Sequence, residues 1–265
     1  MPEGDTAYRV AANLHRALAG HDLTEFQVRT HDLADIDLRG ERVSDVVPAG
    51  KHIFVRVGEW SLHSHMRMEG VWHIYRRGAR WRKPGYQVRI VLGNAHHQAV
   101  GFLLSGIRLL KTSDEYLIVD RLGPDPLTPQ WRQGGREKAA ARVQADPRPI
   151  HVAILDQSNV AGFGNEYANE MCFLAGVNPA TPASHTDALA IMKLGERLIL
   201  ANLHRVERTT TGNLRGGQRL HIYGRAGQPC MRCGTTVRFT RLGADPQRGR
   251  HVHWCPRCQP ALSPR

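Results

Sequence analysis

Cys230-Met231-Arg232-Cys233 and Cys255-Pro256-Arg257-Cys258 are two Cys-x-x-Cys pairs, separated by 21 residues. The strand-like runs at 235–240 and 250–254 predict a β-hairpin between them. Four thiolates at this spacing are typical of tetrahedral zinc, and a site closed by four cysteines leaves no coordination position for a substrate. The sequence therefore predicts one structural Zn²⁺ held by Cys230, Cys233, Cys255 and Cys258.

The composition of the chain favours an anionic partner. Its 265 residues carry 36 Lys and Arg against 24 Asp and Glu, a formal charge of +12. A polyanion such as nucleic acid is the simplest explanation, although an ordinary enzyme can also have a basic surface. No apolar run has membrane-spanning length, and no segment resembles a signal peptide, so we expect a cytoplasmic protein. The fifth cysteine, Cys172, lies in an apolar helical stretch and is expected in a core.

Before the hairpin, the sequence is helical. Helical patterns cover 131–145, 150–157, 165–174 and 184–203, and a flexible stretch at 209–217 leads to the cysteines. Between two of these helices, Gly162 and Gly164 let backbone amides approach a ligand, and a helix begins at Asn165. This corner predicts a phosphate-binding site, with a corner that serves only packing as the alternative.

Further upstream, the pattern is that of short strands. Residues 122–129 break all periodicity and are the predicted domain boundary; the strands before them are typical of a sandwich or barrel. Lys51 follows Gly50 next to a strand, and Met68 lies between two strands, where it is a candidate apolar wedge between bases. A solvated lysine and a core methionine are the alternatives. His63 and His65 share a strand face, where satisfied histidines are favoured over metal ligands.

At the N-terminus, Met1-Pro2-Glu3-Gly4-Asp5-Thr6 suggests covalent chemistry. Removal of Met1 would expose the secondary amine of Pro2. An α-amino group titrates at about pH 8, so a far larger fraction of it than of a lysine is unprotonated near neutrality and can form an imine. Asp5 or Thr6 is expected to cap a helix that runs to Gly20. The alternative is that Pro2 and Glu3 are ordinary residues at a helix start.

Taken as a whole, the chain resembles the formamidopyrimidine-DNA glycosylase and endonuclease VIII family. The resemblance rests on these motifs: Pro2-Glu3-Gly4, Gly50-Lys51-His52, the segment 62–72, Arg121-Leu122-Gly123-Pro124-Asp125, the segment 156–170, Arg250 and Cys255-Pro256-Arg257-Cys258-Gln259. Gly4 is similar to the endonuclease VIII branch. The resemblance implies a multidomain α and β protein with an N-terminal helix and β-sandwich at 1–122, a helical domain at 123–217 and a zinc β-hairpin at 218–265. The helical domain would contain a helix-two-turn-helix at 150–176.

The resemblance also implies an activity and a role for each matching residue. It implies a bifunctional DNA glycosylase and abasic-site lyase of base excision repair that removes oxidised bases, preferentially pyrimidines, with β,δ-elimination. Pro2 would be the nucleophile on the sugar C1′, Glu3 the acid that opens the deoxyribose ring, Lys51 the acid–base group of β-elimination and Arg250 the phosphate-gripping group that assists δ-elimination. The DNA-contacting positions would be Arg67, Met68, Arg121 and Asn165. The expected partner is damaged DNA, double-stranded and also single-stranded, bound by a monomer at the nucleoid.

Two departures from the family pattern stand out. Val252 replaces the usual threonine two residues after the hairpin arginine, and 95–101 lacks the Arg-Phe pair with which the formamidopyrimidine branch fills the gap left by the flipped base. Opposite-base discrimination of that branch's kind is therefore not expected. Two alternatives stay open: a catalytically silent zinc-hairpin protein that senses DNA lesions, and an enzyme that acts chiefly as an abasic-site lyase.

Overall fold

The computed structural model describes residues 2–29, 36–243 and 249–261. The chain forms two compact units, which divide between Asp120 and Arg121. In the described residues, no helix combines the length and the apolar character that crossing a membrane requires.

The first unit contains one long helix and two antiparallel sheets. Helix α1 spans Gly4–Leu18. The strands are β1 Glu25–Val28, β2 Val43–Ala49, β3 His52–Val57, β4 Trp60–His65, β5 Val71–Arg76, β6 Val88–Gly93, β7 His97–Phe102 and β8 Arg108–Lys111. One sheet has the order β1-β6-β7-β5 and the other β2-β3-β4-β8. A short helix, α2, follows at Tyr116–Val119.

The core of this unit lies between the two sheets and α1. Alternate residues of β3 and β6, such as Ile53 and Ile90, are fully buried in one cluster with Ala7, Ala11 and Leu14 of α1. Because side chains alternate along a strand, one face of a strand can pack against the helical stripe of α1, as Ile53, Val55 and Val57 of β3 do. The arrangement confirms the predicted helix and β-sandwich.

The second unit is helical and ends in a hairpin. Its helices are α3 Gly135–Ala145, α4 Ile150–Leu155, α5 Asn165–Leu174 and α6 Ala188–Asn202. Strands β9 Arg238–Leu242 and β10 Arg250–Trp254 pair antiparallel, with Arg250 opposite Leu242 and Trp254 opposite Arg238. The core is built around Phe163, Tyr167 and Met171, packed against Ile191 and Ile199 of α6. Cys172 is fully buried, which raises the pKa of its thiol to about 12, so it is an inert core residue as expected.

Several sequence-based predictions of element ends and caps were wrong, and four of them have a local reason that the structure shows. Asp5 and Thr6 do not cap α1: the N-cap is Glu3, and the Asp5 carboxylate instead accepts from the N–H of its neighbour Thr6 at 2.7 Å. The helix predicted from 131 begins only at Gly135, because Gly134 has a φ of 97° and separates it from a 3₁₀ turn at Pro129–Arg132. The helix predicted from 184 begins at Ala188, where the Asp187 carboxylate caps the N–H of Ala190 at 2.9 Å.

The fourth boundary concerns the hairpin. Its first strand was predicted at 235–240 but begins at Arg238, because the residues before it pair with the chain around the first cysteines. The N–H of Cys230 donates to the carbonyl of Thr235 at 2.9 Å, and the N–H of Val237 donates to the carbonyl of Gln228 at 2.9 Å. Residues 235–237 therefore belong to the turn around Cys230 and Cys233, which we call the cysteine knuckle, and not to the hairpin strand.

Candidate functional site

The N-terminal segment places an acid at the start of α1. Glu3 is the N-cap residue and is fully buried, and its carbonyl accepts the N–H of Ala7 at 3.0 Å. A carboxylate at this position experiences the positive end of the helix dipole. Pro2 is half-buried immediately before it, and Met1 lies outside the described residues. The two predicted catalytic residues are thus adjacent at a fixed helix end.

Lys51 lies in a two-residue turn between β2 and β3. Ala49 pairs with His52 across this turn, and Gly50 has a φ of 57°, a conformation that glycine adopts without strain. Helix α1 packs against both β2 and β3. Pro2, Glu3 and Lys51 are therefore all carried by three elements that pack directly together.

The loop after β4 presents the candidate wedge. Met68 is 66% exposed, whereas Met66 is buried at 3% exposure, so the core methionine of this loop is Met66 and Met68 projects into solvent. Arg67 has a φ of 51°, and its N–H donates to Nδ1 of His65 at 2.9 Å. Because a Cβ on Gly70 would lie 2.4 Å from the carbonyl oxygen of Met66, the tight loop needs glycine there.

Three histidines connect this loop with the Lys51 turn. His52 pairs with His65 across β3 and β4, so the turn and the loop emerge at the same end of the sheet. Nδ1 of His52 lies 2.8 Å from Nε2 of His63, and the two rings stack. Burial lowers the pKa of His52 and His65 to about 4 and of His63 to about 3, with nearby Lys51 acting in the same direction on His52 and His65. The cluster is uncharged near neutrality. The expectation of satisfied histidines does not hold for His63, whose buried Nδ1 has no hydrogen-bond partner among the described residues.

In the second unit, the predicted glycine corner is a tight turn between α4 and α5. Gly162 has a φ of 89°, and its N–H donates to Oε1 of Gln157 at 3.1 Å, while Nε2 of Gln157 donates to the carbonyl of Phe163 at 2.9 Å. Gly164 caps α5 in an extended conformation, so Asn165 begins the helix with its first-turn amides directed out of the turn. This geometry fits an anion.

The segment that begins at Arg121 lies against this turn. The N–H of Gly123 donates to the carbonyl of Gln157 at 2.7 Å, and a Cβ at Gly123 would lie 2.6 Å from the backbone of Asn159. Arg121 is exposed two residues earlier. The close approach explains why a glycine is needed in the Arg-Leu-Gly-Pro-Asp motif.

Helix α5 also holds the hairpin strand that carries Arg250. Nδ2 of Asn165 donates to the carbonyl of His251 at 3.0 Å, Nδ2 of Asn169 to the same carbonyl at 3.2 Å, and the N–H of His253 to Oδ1 of Asn169 at 2.7 Å. Asn165 is only 6% exposed, so its side-chain amide is engaged with the hairpin. Arg250 is exposed, and Val252 is fully buried, where a threonine hydroxyl would not reach solvent.

The four predicted zinc ligands come together. The sulfur atoms of Cys230, Cys233, Cys255 and Cys258 all lie within 4.8 Å of one another, with 3.4 Å between those of Cys233 and Cys255. This spacing suits tetrahedral coordination of one ion by four thiolates. Oε1 of Gln259 accepts the N–H of Cys255 at 3.0 Å, and its Nε2 donates to the carbonyl of Val177 at 2.8 Å, which fastens the cysteine knuckle to the helical part of the unit.

Sequence patterns alone gave no structural role to Asn169 and Glu170. The buried Glu170 carboxylate accepts the N–H groups of His221, Ile222 and Tyr223 at 2.8–2.9 Å, and the hydroxyl of Thr210. The signal for Asn169 was its position four residues after Asn165, which places both amides on one helix face. No pattern in the sequence links Glu170 to residues fifty positions away.

The comparisons with known proteins agree with this geometry. Residues 1–104 match the formamidopyrimidine-DNA glycosylase N-terminal domain, 122–208 the formamidopyrimidine-DNA glycosylase H2TH domain, and 227–261 the zinc finger found in FPG and IleRS. Among solved structures, the complex between Lactococcus lactis Fpg and DNA containing an abasic site aligns with a TM-score of 0.80 at 20% identity, over 98% of this chain and 100% of that one. That similarity establishes the fold.

Two curated relatives are much closer in sequence. The chain is 45% identical to "Probable endonuclease 8 2" of Streptomyces coelicolor, over 100% of this chain and 96% of the relative. It is 41% identical to "DNA-(apurinic or apyrimidinic site) lyase Nei2" of Mycolicibacterium smegmatis, over 98% of this chain and 100% of the relative. With all three domain types and full-length relatives matched, the chain belongs to the formamidopyrimidine-DNA glycosylase and endonuclease VIII family, on the endonuclease 8 side.

Proposed function

We propose that this protein is a bifunctional DNA glycosylase and abasic-site lyase of base excision repair that uses the amine of Pro2 as its nucleophile. The observation that carries the proposal is the fully buried Glu3 at the N-cap of α1, directly beside Pro2. Burying a carboxylate is costly, and we take a buried acid directly beside Pro2 to favour a catalytic use over that of an ordinary helix-start residue. Homology to a protein named as an abasic-site lyase supports the same reading.

In the proposed reaction, the Pro2 amine attacks C1′ of the damaged nucleotide and displaces the base. Glu3 protonates the ring oxygen so that the deoxyribose opens and an iminium forms. Because proline is a secondary amine, this iminium is permanently cationic and withdraws electrons from C2′. Loss of the C2′ proton then breaks the bond from C3′ to the 3′ phosphate, and a second elimination releases the 5′ phosphate.

Lys51 and Arg250 assist this chemistry in the proposal. The Lys51 ammonium is presented by a tight turn of the sheet on which α1 packs, which suits an acid–base group for β-elimination. Arg250 is exposed on a strand that Asn165 and Asn169 hold in place, and in the proposal it binds phosphates and assists δ-elimination. Neither role involves the zinc ion, which the four cysteines would hold as a purely structural group.

The target nucleotide must leave the base stack before C1′ can be reached. Unstacking costs a few kcal/mol. In the proposal, the exposed Met68 fills the space that the nucleotide leaves and so offsets this cost. Arg67, Arg121 and the amides at the start of α5 contact the DNA. The short β6–β7 turn, where Oδ1 of Asn94 accepts the N–H groups of His96 and His97 at 2.9 and 2.8 Å, leaves no long loop to fill the gap. We propose oxidised pyrimidines as substrates, in duplex and single-stranded DNA, and a monomer that acts at the nucleoid.

Strand cleavage on two defined substrates tests the proposal. One duplex carries a single abasic site and the other an oxidised pyrimidine such as thymine glycol. We expect cleavage of both, with product ends that carry phosphates on either side of the gap, as β,δ-elimination requires. Binding without cleavage of either duplex would instead support the silent lesion sensor, and cleavage of the abasic duplex alone would support an enzyme that is chiefly a lyase.

A further inference from the structure

The zinc hairpin carries an aromatic row that has no part in the proposed chemistry. The rings of Tyr223, His253, Phe239 and His251 follow one another with centroid separations of 5.2, 5.3 and 5.2 Å, in edge-to-face or tilted contacts. His253 is buried at 7% exposure, whereas Phe239 is 46% exposed and His251 is also exposed. The row thus begins inside the unit and ends in solvent.

The register of the hairpin separates this row from Arg250. Phe239 pairs with His253, and Arg241 pairs with His251, so all four side chains share one face of the two-stranded sheet. Arg250 pairs with Leu242, and its side chain belongs to the opposite face because side chains alternate along a strand. The aromatic face is therefore distinct from the phosphate grip assigned to Arg250.

The aromatic face is rigidly mounted. The backbone of His251 and His253 is hydrogen-bonded to Asn165 and Asn169, and β10 leads directly into the ligand Cys255. The exposed Phe239 ring rests on the buried His253 ring and lies edge-on to His251, which limits its rotation. A ring fixed in this way loses little conformational entropy when a ligand stacks on it.

The charge of the hairpin region as a whole indicates the ligand. Between 227 and 261 the sequence has arginine at positions 232, 238, 241, 248, 250 and 257 and a single acidic residue, Asp245. Arg241 shares the face with the rings. A fixed aromatic surface next to cations is the combination that binds unpaired nucleotides, since a base stacks on the ring and its phosphate meets the guanidinium. Paired bases in a duplex do not offer a free face to such a ring.

We propose that Phe239 and His251 form a stacking site for an unpaired base of single-stranded DNA, with Arg241 contacting the phosphate of that strand. This site rests on the proposed function and extends it, because it would let the enzyme engage gapped, frayed or single-stranded DNA beside a lesion. It adds affinity for the unpaired strand and takes no part in the reaction at C1′.

The test compares three substitutions at one position in the full-length, zinc-loaded protein. Phe239→Leu keeps an apolar contact with His253 but removes the aromatic face, Phe239→Trp keeps the face, and Phe239→Ala removes both. The probes are a fluorescein-labelled oligothymidylate and a blunt duplex with a central abasic-site analogue, with zinc content and thermal unfolding measured on every variant. Stacking on an aromatic side chain is worth roughly 1–3 kcal/mol per base.

We expect Phe239→Leu and Phe239→Ala to weaken oligothymidylate binding by about 5- to 100-fold and Phe239→Trp to restore it. Binding of the blunt duplex should change little in all three. Parental oligothymidylate affinity in Phe239→Leu, or an equal loss on both probes, would overturn the stacking site. Borohydride trapping of the parent protein on abasic DNA tests the proposed function separately, so a failure of one can be distinguished from a failure of the other.

Discussion

At the residue scale, Glu3 and Gly123 allow the sharpest predictions. The first depends on one carboxylate and the second on the absence of one Cβ atom. Glu3 is fully buried at the helix start, where burial of a carboxylate is costly, and we propose that it is the acid of the reaction. Gly123 touches the backbone of the α4–α5 turn, where no Cβ fits. The first concerns chemistry and the second concerns stability, so they call for different measurements.

Replacing the acid should separate the two steps of the reaction. Glu3→Gln keeps the size of the side chain but cannot protonate the ring oxygen, and general acid catalysis is worth about 10²–10⁴ in rate, roughly 3–5 kcal/mol. We expect a loss of that order in base excision and a much smaller loss on a preformed abasic site, whose sugar opens by itself. Single-turnover rates on the two substrates measure the difference; equal losses would mean that Glu3 is structural.

Adding one methyl group at Gly123 should destabilise the protein. The new Cβ would lie 2.6 Å from the carbonyl carbon and oxygen of Asn159, and 2.7 Å from the carbonyl oxygen of Ser158. Overpacking of this kind typically costs about 1–3 kcal/mol in the free energy of unfolding. Urea unfolding of Gly123→Ala measures it. The matched control is Gly216→Ala, where no atom lies within 4 Å and φ is outside the left-handed region, and we expect no loss there.

At the element scale, the β3–β4 strand pair holds a histidine cluster that should affect stability, and the zinc hairpin holds Arg250, which should affect DNA binding. His63 is buried, and His52 and His65 are half-buried, on one face of the strand pair. Arg250 is held by a strand whose ends are fixed by α5 and by the cysteines. Substitutions in either element should therefore change stability or DNA binding without touching the atoms that react.

The histidine cluster should make stability fall in acid. Burial lowers the pKa of His63 to about 3, and of His52 and His65 to about 4, from 6.5 in the unfolded chain. Below pH 6.5 the unfolded state binds more protons than the folded state, so stability present above that pH is lost progressively as the pH falls to about 4 for His52 and His65 and to about 3 for His63. Each such proton changes the free energy of unfolding by about 1.4 kcal/mol per pH unit. Urea unfolding between pH 7 and pH 4.5 should show a shallower loss in His63→Phe; an unchanged slope would contradict the burial of this ring.

Removing zinc and removing Arg250 should weaken DNA binding in different ways. Arg250→Ala should keep one zinc per chain and lower the salt dependence of binding by roughly 0.9 in log–log slope, the value of one phosphate contact. Cys258→Ser should lose zinc and binding together, because metal binding supplies folding free energy to the hairpin. Zinc analysis and salt titrations measure both. If Arg250→Ala binds and cleaves like the parent while Cys258→Ser is inactive, the assignment of the phosphate grip to Arg250 is wrong.

At the scale of the whole molecule, the sequence predicted the fold class, the four zinc ligands and the bounds of α5 and β10, because cysteine spacing, strand alternation and helix-start residues are local signals. It missed β2, where Pro48 and polar residues interrupt the pattern; as an edge strand, β2 tolerates a proline. It also missed the structural roles of Glu170 and Gln259, whose hydrogen-bond partners lie about 50 and 80 residues away in the chain. Such contacts depend on tertiary packing and leave no periodic signature.

The central claim is that the N-terminal amine of Pro2 forms the covalent intermediate. The most direct test is borohydride reduction during reaction with abasic-site DNA, followed by mass spectrometry of the DNA-linked peptide. We predict a trapped complex with the sugar remnant on Pro2 in protein that has lost Met1, and no complex in Pro2→Leu, whose bulky second residue leaves Met1 in place. Undiminished trapping in Pro2→Leu, or a remnant on Lys51, would contradict the claim.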